Sequence, residues 1–278
     1  MLKPGSFALL VGSTLAFSAP AAFAADTCGE NALGTSRTIT VSTSEFPRIG
    51  TEQYLETLRL KDREVVLTFD DGPHRENTSR VLDVLAADCV KATFFMLGIN
   101  VAEAPHLARR ARAEGHSVGT HTFSHINLSK VPLEKALQDI ELGIEAVTEA
   151  LGKGNSPAPF FRAPYLGITK EVEKFLYSRG LMVWGIDVDS LDWTFANPEK
   201  VIERSIAELE KNGKGILLLH DIKTATARAL PVLLSELKRR GFRIVHVVPE
   251  SNPPPDASNI SRLANKKQQD ERPKSLRE

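Results

Sequence analysis

The sequence predicts an α/β fold built on a parallel sheet, and three observations carry that prediction. From Glu64 onward, short runs rich in Val, Ile, Leu and Phe recur. They are continuous rather than alternating, as strands covered on both faces are. Amphipathic stretches fill the gaps between them, with apolar residues at three- and four-residue steps. Ionisable residues stand where the runs end, and the C-terminal ends of strands are where parallel α/β proteins gather their chemistry.

The expected strands are Val65–Phe69, Thr93–Leu97, Ser117–Thr120, Pro159–Phe161, Leu181–Ile186, Gly215–Leu219 and Arg243–Val247. The clearest helix runs from Pro132 to Leu151. There Leu133, Leu137, Ile140, Ile144, Val147 and Leu151 form one apolar stripe. Pro132 suits its first turn and Gly152 its end. A second helix, Ala225 to Arg240, turns Leu230, Leu233, Leu234 and Leu237 inward. Arg239 and Arg240 occupy its last turn and Gly241 stops it. Strands separated by helices imply right-handed crossovers, and either a βα barrel or an open doubly wound sheet.

The chain has 278 residues, with Lys+Arg and Asp+Glu both at 35. That length suits one large domain or two small ones. A neutral balance with no basic stripe argues against a nucleic-acid partner. Residues 1–24 differ from the rest. Lys3 is their one charge, Phe7 to Phe17 is mostly apolar, and Ala22-Phe23-Ala24 offers a small-x-small cleavage site. This is the pattern of a secretory signal peptide, and the apolar run is short for a membrane span of roughly 20 residues. No stable membrane insertion is expected, and the product is expected in the periplasm or outside the cell. In an exported chain the pair Cys28 and Cys89 can form a disulfide tying the N-terminal extension to the domain. Residues 25–62 show no clear period and are expected to wrap the barrel as a strap. Residues 251–278 open with Pro253-Pro254-Pro255 and stay polar, a composition expected to be disordered. The domain is thus 63–250, and a monomer is expected.

The chemistry gathers at the strand ends. Asp70 ends the first strand and His121 the third, Arg162 ends the fourth, Asp187 and Asp189 follow the fifth, and His220 ends the sixth. Asp70 and Asp71 precede Gly72-Pro73, a turn signal that lets both carboxylates lean into one site. His121 and His125 stand four apart, so one helical turn or a tight loop puts both imidazoles on one side. Asp, His and His leave a coordination position open on a metal, the arrangement of a catalytic site. Arg162 can hold a neighbouring carboxylate by a bidentate contact. Asp192-Trp193 offers a carboxylate and an aromatic face, and His220 reads as a general acid. His116 reads as structural, and His74 as a candidate for the site's edge.

These residues resemble the polysaccharide deacetylase family, also called the NodB homology domain or carbohydrate esterase family 4, over about residues 63 to 248. Thr68-Phe69-Asp70-Asp71 is similar to its first motif and His121-Thr122-Phe123-Ser124-His125 to its second. Arg162-Ala163-Pro164-Tyr165, Asp189-Ser190-Leu191-Asp192-Trp193 and Leu218-Leu219-His220 are similar to the third, fourth and fifth. The resemblance implies a distorted (β/α)7 barrel, TIM-barrel-like, and Zn2+ or another divalent metal such as Co2+. It implies Asp70 as base and Asp71, His121 and His125 as metal ligands. Arg162 would orient Asp70, and the Tyr165 N–H would help bind an oxyanion. Asp192 would tune His220 as the acid, Trp193 would line the groove, and Leu218 would line the acetyl pocket. The implied partner is an N-acetylated glycan.

Three other readings compete. A glycoside hydrolase also pairs carboxylates, about 5 Å or more apart, but needs no His pair. An amide hydrolase acting on a non-sugar substrate fits the site, although an export signal argues against it. A glycan-binding module without turnover would not need the base, acid and ligand set together.

Overall fold

The computed structural model describes residues 28, 29 and 31–250. The expectations for residues 1–24 and 251–278 lie outside the described residues. Ten strands and seven helices are present among them. The strands are β1 (Thr35–Val41), β2 (Arg48–Ile49), β3 (Glu64–Asp70), β4 (Thr93–Met96), β5 (Ser117–Thr120), β6 (Phe160–Phe161), β7 (Met182–Trp184), β8 (Val188–Asp189), β9 (Gly215–His220) and β10 (Arg243–Pro249). The helices are α1 (Asn77–Ala87), α2 (Gly98–Glu103), α3 (Pro105–Ala113), α4 (Leu133–Leu151), α5 (Lys170–Ser178), α6 (Pro198–Asn212) and α7 (Thr224–Arg239).

Every strand pair is parallel. β3 pairs with β4, β4 with β5, β5 with β6 and β6 with β7. On its other side β3 pairs with β9, and β9 with β8. β7 and β8 are consecutive stretches of one segment, so hydrogen bonding runs round a barrel and returns to β3. The expected strand Leu181–Ile186 is shortened to β7, which pairs with β6. Past its end the chain swings across, and β8 pairs with β9. The gap this opens beside β7 is taken by β2, with Arg48 opposite Val183 and Ile49 opposite Trp184.

The N-terminal extension holds a strand that its composition hides. β1 is Thr- and Ser-rich and alternates half-buried with exposed residues. It pairs with β10 over Thr35 to Val41, so its order comes from ladder hydrogen bonds more than from its own apolar content. Cys28 and Cys89 are joined in a disulfide, with Cα atoms 5.8 Å apart.

Side-chain alternation along the strands explains where the site forms. Val65, Leu67 and Phe69 of β3 and Leu217 and Leu219 of β9 face outward, packed with Val81, Leu85, Leu230 and Leu234 of the helices. The other parity points into the barrel. At its lower levels that interior is apolar: Val66, Phe95, Phe160, Trp184 and Ile216. The Trp184 ring tilts against Phe160 and Phe95, with centroids 4.9 and 5.5 Å apart. Each such buried aromatic contributes about 3 kcal/mol. Two residues further along the same inward rows stand Thr68 then Asp70, His121, Arg162, and Leu218 then His220. The apolar core thus becomes the polar site without any strand changing face.

Helix α4 shows one shift from its expected stripe. Leu133 is exposed, and the buried face includes Ala136, Asp139, Ile140, Gly143 and Val147. The small and polar members let α4 approach the loop 122–125, where a Cβ on Gly143 would collide with the Thr122 and Phe123 backbone. In α7, Leu230, Leu233, Leu234 and Leu237 are buried.

Candidate active site

The inward rows open into a cleft of about 420 Å³. Asp70, Asp71, His121, His125, Tyr165, Trp193, Leu218 and His220 line it. Arg162 and Asp192 are wholly buried behind it. Ala163, Leu166, Asp189 and Lys223 complete the wall.

Asp71 follows β3 with φ 74. The kink frees its carboxylate from the strand's alternation, so Asp71 leans to the side that Asp70 faces. The Asn100 side-chain amide donates to the Asp71 carbonyl at 2.7 Å, and the Leu97 N–H donates to the Gly72 carbonyl at 3.0 Å. His121 and His125 meet through a tight loop rather than a helical turn. Thr122 and His125 both have positive φ, and the two imidazole centroids lie 5.2 Å apart. Asp139 of α4 secures this loop, accepting from the Phe123 and Ser124 N–H groups and the Ser124 hydroxyl.

The three side chains Asp71, His121 and His125 each present a ligand atom, all within 4.8 Å of one another. Asp71 Oδ1 lies 3.2 Å from His125 Nε2 and 3.5 Å from His121 Nε2. Among the described residues this buried oxygen has no aligned hydrogen-bond partner. His121 Nδ1–H donates to the Arg162 carbonyl at 2.7 Å, which turns the Nε2 lone pair toward Asp71. Burial pushes the His121 pKa down, so the ring stays neutral, as a ligand must. Burial pushes Asp71 up, but the facing imidazoles of His125, His121 and His220 outweigh it and hold Asp71 at about 2. Lone pairs and charge converging on one point, with an open cleft beyond, fit a divalent cation with a free coordination position.

Asp70 is held differently. Arg162 Nη1 donates to Asp70 Oδ1 at 2.7 Å and to Thr68 Oγ1 at 2.8 Å. The contact is single, not the expected bidentate one. The rest of the guanidinium fork is committed to the carbonyls of Gly185 at 3.0 Å and Trp184 at 3.4 Å, where the chain leaves β7. The guanidinium also stacks 4.3 Å over the Phe95 ring. Asp70 Oδ2 is left 3.9 Å from His121 Nε2, too far for a hydrogen bond.

On the neighbouring strand, His220 Nδ1–H donates to Asp192 Oδ1 at 2.7 Å. Asp192 Oδ2 accepts from the His220 N–H at 2.7 Å and from Thr226 Oγ1 at 2.5 Å. Burial opposes charge on His220, but the Asp192 hydrogen bond and the carboxylates of Asp192, Asp70 and Asp71 raise it to about 9. Tyr165 has φ 57, in a 3₁₀ turn whose own hydrogen bonds begin at the Leu166 and Gly167 N–H groups. Its ring is exposed and packs edge-on against His125 at 4.6 Å, while the Trp193 ring is about half-exposed.

Two residues depart from their expected places. Asp187 does not reach the rim. It accepts from Thr51 N–H and Oγ1, Thr57 Oγ1 and the Ile216 N–H, and so pins the N-terminal extension. His74 does not line the cleft; its Nδ1 accepts from the Asn77 N–H at the start of α1. Sequence pattern alone does not single out Asp139, Lys223 or Asp221.

The fold and site define a parallel α/β barrel protein with a candidate metal centre flanked by a carboxylate and a carboxylate-paired histidine. The chain belongs to the polysaccharide deacetylase family. The family model for polysaccharide deacetylase matches residues 58–184. The chain is 34% identical over 186 residues to the peptidoglycan-N-acetylglucosamine deacetylase of Listeria monocytogenes, covering 67% of this chain and 38% of that protein. It is 35% identical over 202 residues to the chitooligosaccharide deacetylase of a Bradyrhizobium species, covering 68% of this chain and 90% of that protein. Its fold matches a peptidoglycan deacetylase of Bdellovibrio bacteriovorus with a TM-score of 0.71 and 30% identity, over 81% of this chain and 62% of that one. No helix among the described residues is long and apolar enough to cross a membrane.

Proposed function

We propose that this chain removes N-acetyl groups from N-acetylglucosamine units of an envelope or extracellular polysaccharide, releasing acetate. The observation that carries the reading is the placement of Asp70 and His220 on adjacent strands at the mouth of the Asp71, His121 and His125 cluster. β3 and β9 are paired with Asp70 opposite His220. Asp71, His121 and His125 would hold the metal, which we take to be zinc or another divalent ion such as cobalt. When bound, such an ion polarises a carbonyl and lowers the pKa of water.

The chain's own residues do the rest. Asp70, kept in place by Arg162, takes the proton of the attacking water as its oxygen adds to the acetyl carbon. The Tyr165 N–H would donate to the oxyanion that develops. Leu218 forms an apolar wall for the acetyl methyl. His220, charged and oriented by Asp192, gives its Nε2 proton to the nitrogen as the C–N bond breaks. Acetate and a free amine leave. Trp193 and Tyr165 offer exposed aromatic faces on which sugar rings can rest.

We take 63–250 as the catalytic unit and residues 1–24 as an export signal, placing the enzyme in the periplasm or outside the cell. The Cys28–Cys89 disulfide supports an oxidising compartment. Relatives named for peptidoglycan and for chitooligosaccharide support an N-acetylated glycan as substrate. The test is acetate release over a panel of peptidoglycan fragments and chitin oligomers, with chelator and with zinc restored. Release that chelator abolishes and zinc restores is expected; no release on any member, or release indifferent to chelator, would overturn the reading.

A further inference from the structure

Asp221 follows His220 and so takes the opposite parity, away from the cleft. Its carboxyl group is fully buried against the underside of the turn that carries Asp71. The Gly72 Cα faces it so closely that a Cβ there would collide with the Asp221 carboxyl group. Thr78 Oγ1 donates to Asp221 Oδ2 at 2.5 Å and itself accepts the His74 N–H at 2.7 Å. Asn77, beside Thr78, donates to the Ile222 carbonyl at 2.8 Å. The segment 70–74 is therefore clamped on two sides. Asn100 of α2 and Leu97 just before it hold its carbonyls, and Asp221, just past β9, packs on Gly72 and through Thr78 holds His74.

We propose that Asp221 is a positioning residue that fixes the left-handed Asp71 backbone and thereby aims the Asp71 carboxylate at His121 and His125. The role is steric and hydrogen-bonding. The carboxyl group fills the volume that Gly72 leaves, and one oxygen anchors Thr78. Without it the turn can relax from φ 74 at Asp71, a conformation that a non-glycine residue keeps only where its surroundings impose it. The proposal explains two residue choices that the reaction itself does not use, Gly72 and Thr78. It also accounts for a carboxylate tolerated where burial and the nearby acids raise its pKa to about 7.

The inference rests on the metal-centre reading above, and its test separates the two. Zinc affinity of the full chain is measured by competition with a chelating dye, beside thermal unfolding of the metal-free protein, for wild type, Asp71→Asn, Asp221→Ala, Asp221→Asn and Thr78→Val. Wild type should bind zinc and Asp71→Asn should not. Asp221→Ala and Thr78→Val should each weaken zinc binding by about 10-fold, as loss of a residue supporting a ligand does. Asp221→Asn, which keeps the volume and an acceptor for Thr78, should stay within about threefold of wild type. If Asp221→Ala does not fold, Thr78→Val gives the reading. Wild-type affinity in the folded Thr78→Val or Asp221→Ala protein, with melting lowered or not, would overturn the proposal and leave the metal centre standing. Failure of the wild type to bind zinc through Asp71 would overturn both.

Discussion

At the N-terminal end of the barrel His116 and His246 are buried; at the C-terminal end His121, His125 and His220 ring a cleft. The residue type is the same, yet the states differ. His116 Nδ1 accepts the Ala92 N–H at 3.1 Å, and His246 Nε2 pairs with Ser117 Oγ at 3.1 Å. Burial, reinforced by the positive charge of Lys91, pushes these two down to about 3 and about 4. They are neutral packing groups. At the other end His220 is mostly buried at the cleft wall, and Asp192, Asp70 and Asp71 reverse the outcome and raise it to about 9. Burial alone leaves a histidine neutral, as it does His121 even beside Asp70 and Asp71; a carboxylate hydrogen-bonded to the ring, as Asp192 is to His220, makes it an acid that holds its proton at neutral pH.

The largest expected effect breaks the carboxylate side of this contrast. Arg162→Met leaves Asp70 buried without its cation, which costs about 3–5 kcal/mol for a broken buried pair. Urea unfolding should show that loss, and acetate release should fall with it. Stability within about 1 kcal/mol of wild type would mean that the pair is not the anchor described here.

Asp192→Asn tests the acid directly. His220 must carry its proton to donate it, so activity is lost as pH rises through its pKa. In the wild type the Asp192 pair should hold that alkaline limb above the ordinary histidine range. Removing the Asp192 charge lets burial prevail, and the limb of kcat/KM should move to lower pH by at least about one unit. A limb that stays in place would detach Asp192 from His220.

The smallest effect comes from the quiet end. His116→Leu should leave activity within about twofold but flatten the acid side of the stability profile. In the unfolded chain His116 takes up a proton near the ordinary histidine value of about 6.5, whereas in the fold burial delays this until about 3. The unfolded state therefore gains as pH falls through that window. The wild type should lose about 1.5 kcal/mol between pH 6.5 and 5 from this residue, and the variant should not. Equal slopes in urea titrations at the two pH values would place His116 in contact with solvent.

Much of this arrangement was legible in the sequence, and the reasons are specific. Continuous apolar runs gave the barrel strands, and period-two alternation puts Asp70, His121, Arg162 and His220 on the inner rows. Strand β1 was not legible, because its Thr- and Ser-rich sequence is ordered by a partner more than 200 residues away. Asp187 was misplaced because a carboxylate just past a strand can turn to either end of the barrel. Here three N-terminal donors claim it. Asp221 was invisible for the opposite reason. Its neighbour His220 absorbs the motif, and only the packing of Gly72 reveals what the next side chain does.

The division of labour between the adjacent carboxylates Asp70 and Asp71 is the claim on which the account stands. Zinc content and acetate release are to be measured together for Asp70→Asn and Asp71→Asn. Asp70→Asn should retain zinc at wild-type affinity while acetate release falls by about 100-fold or more, and Asp71→Asn should lose the zinc. Acetate release near the wild-type rate from Asp70→Asn, or zinc retained by Asp71→Asn, would contradict it.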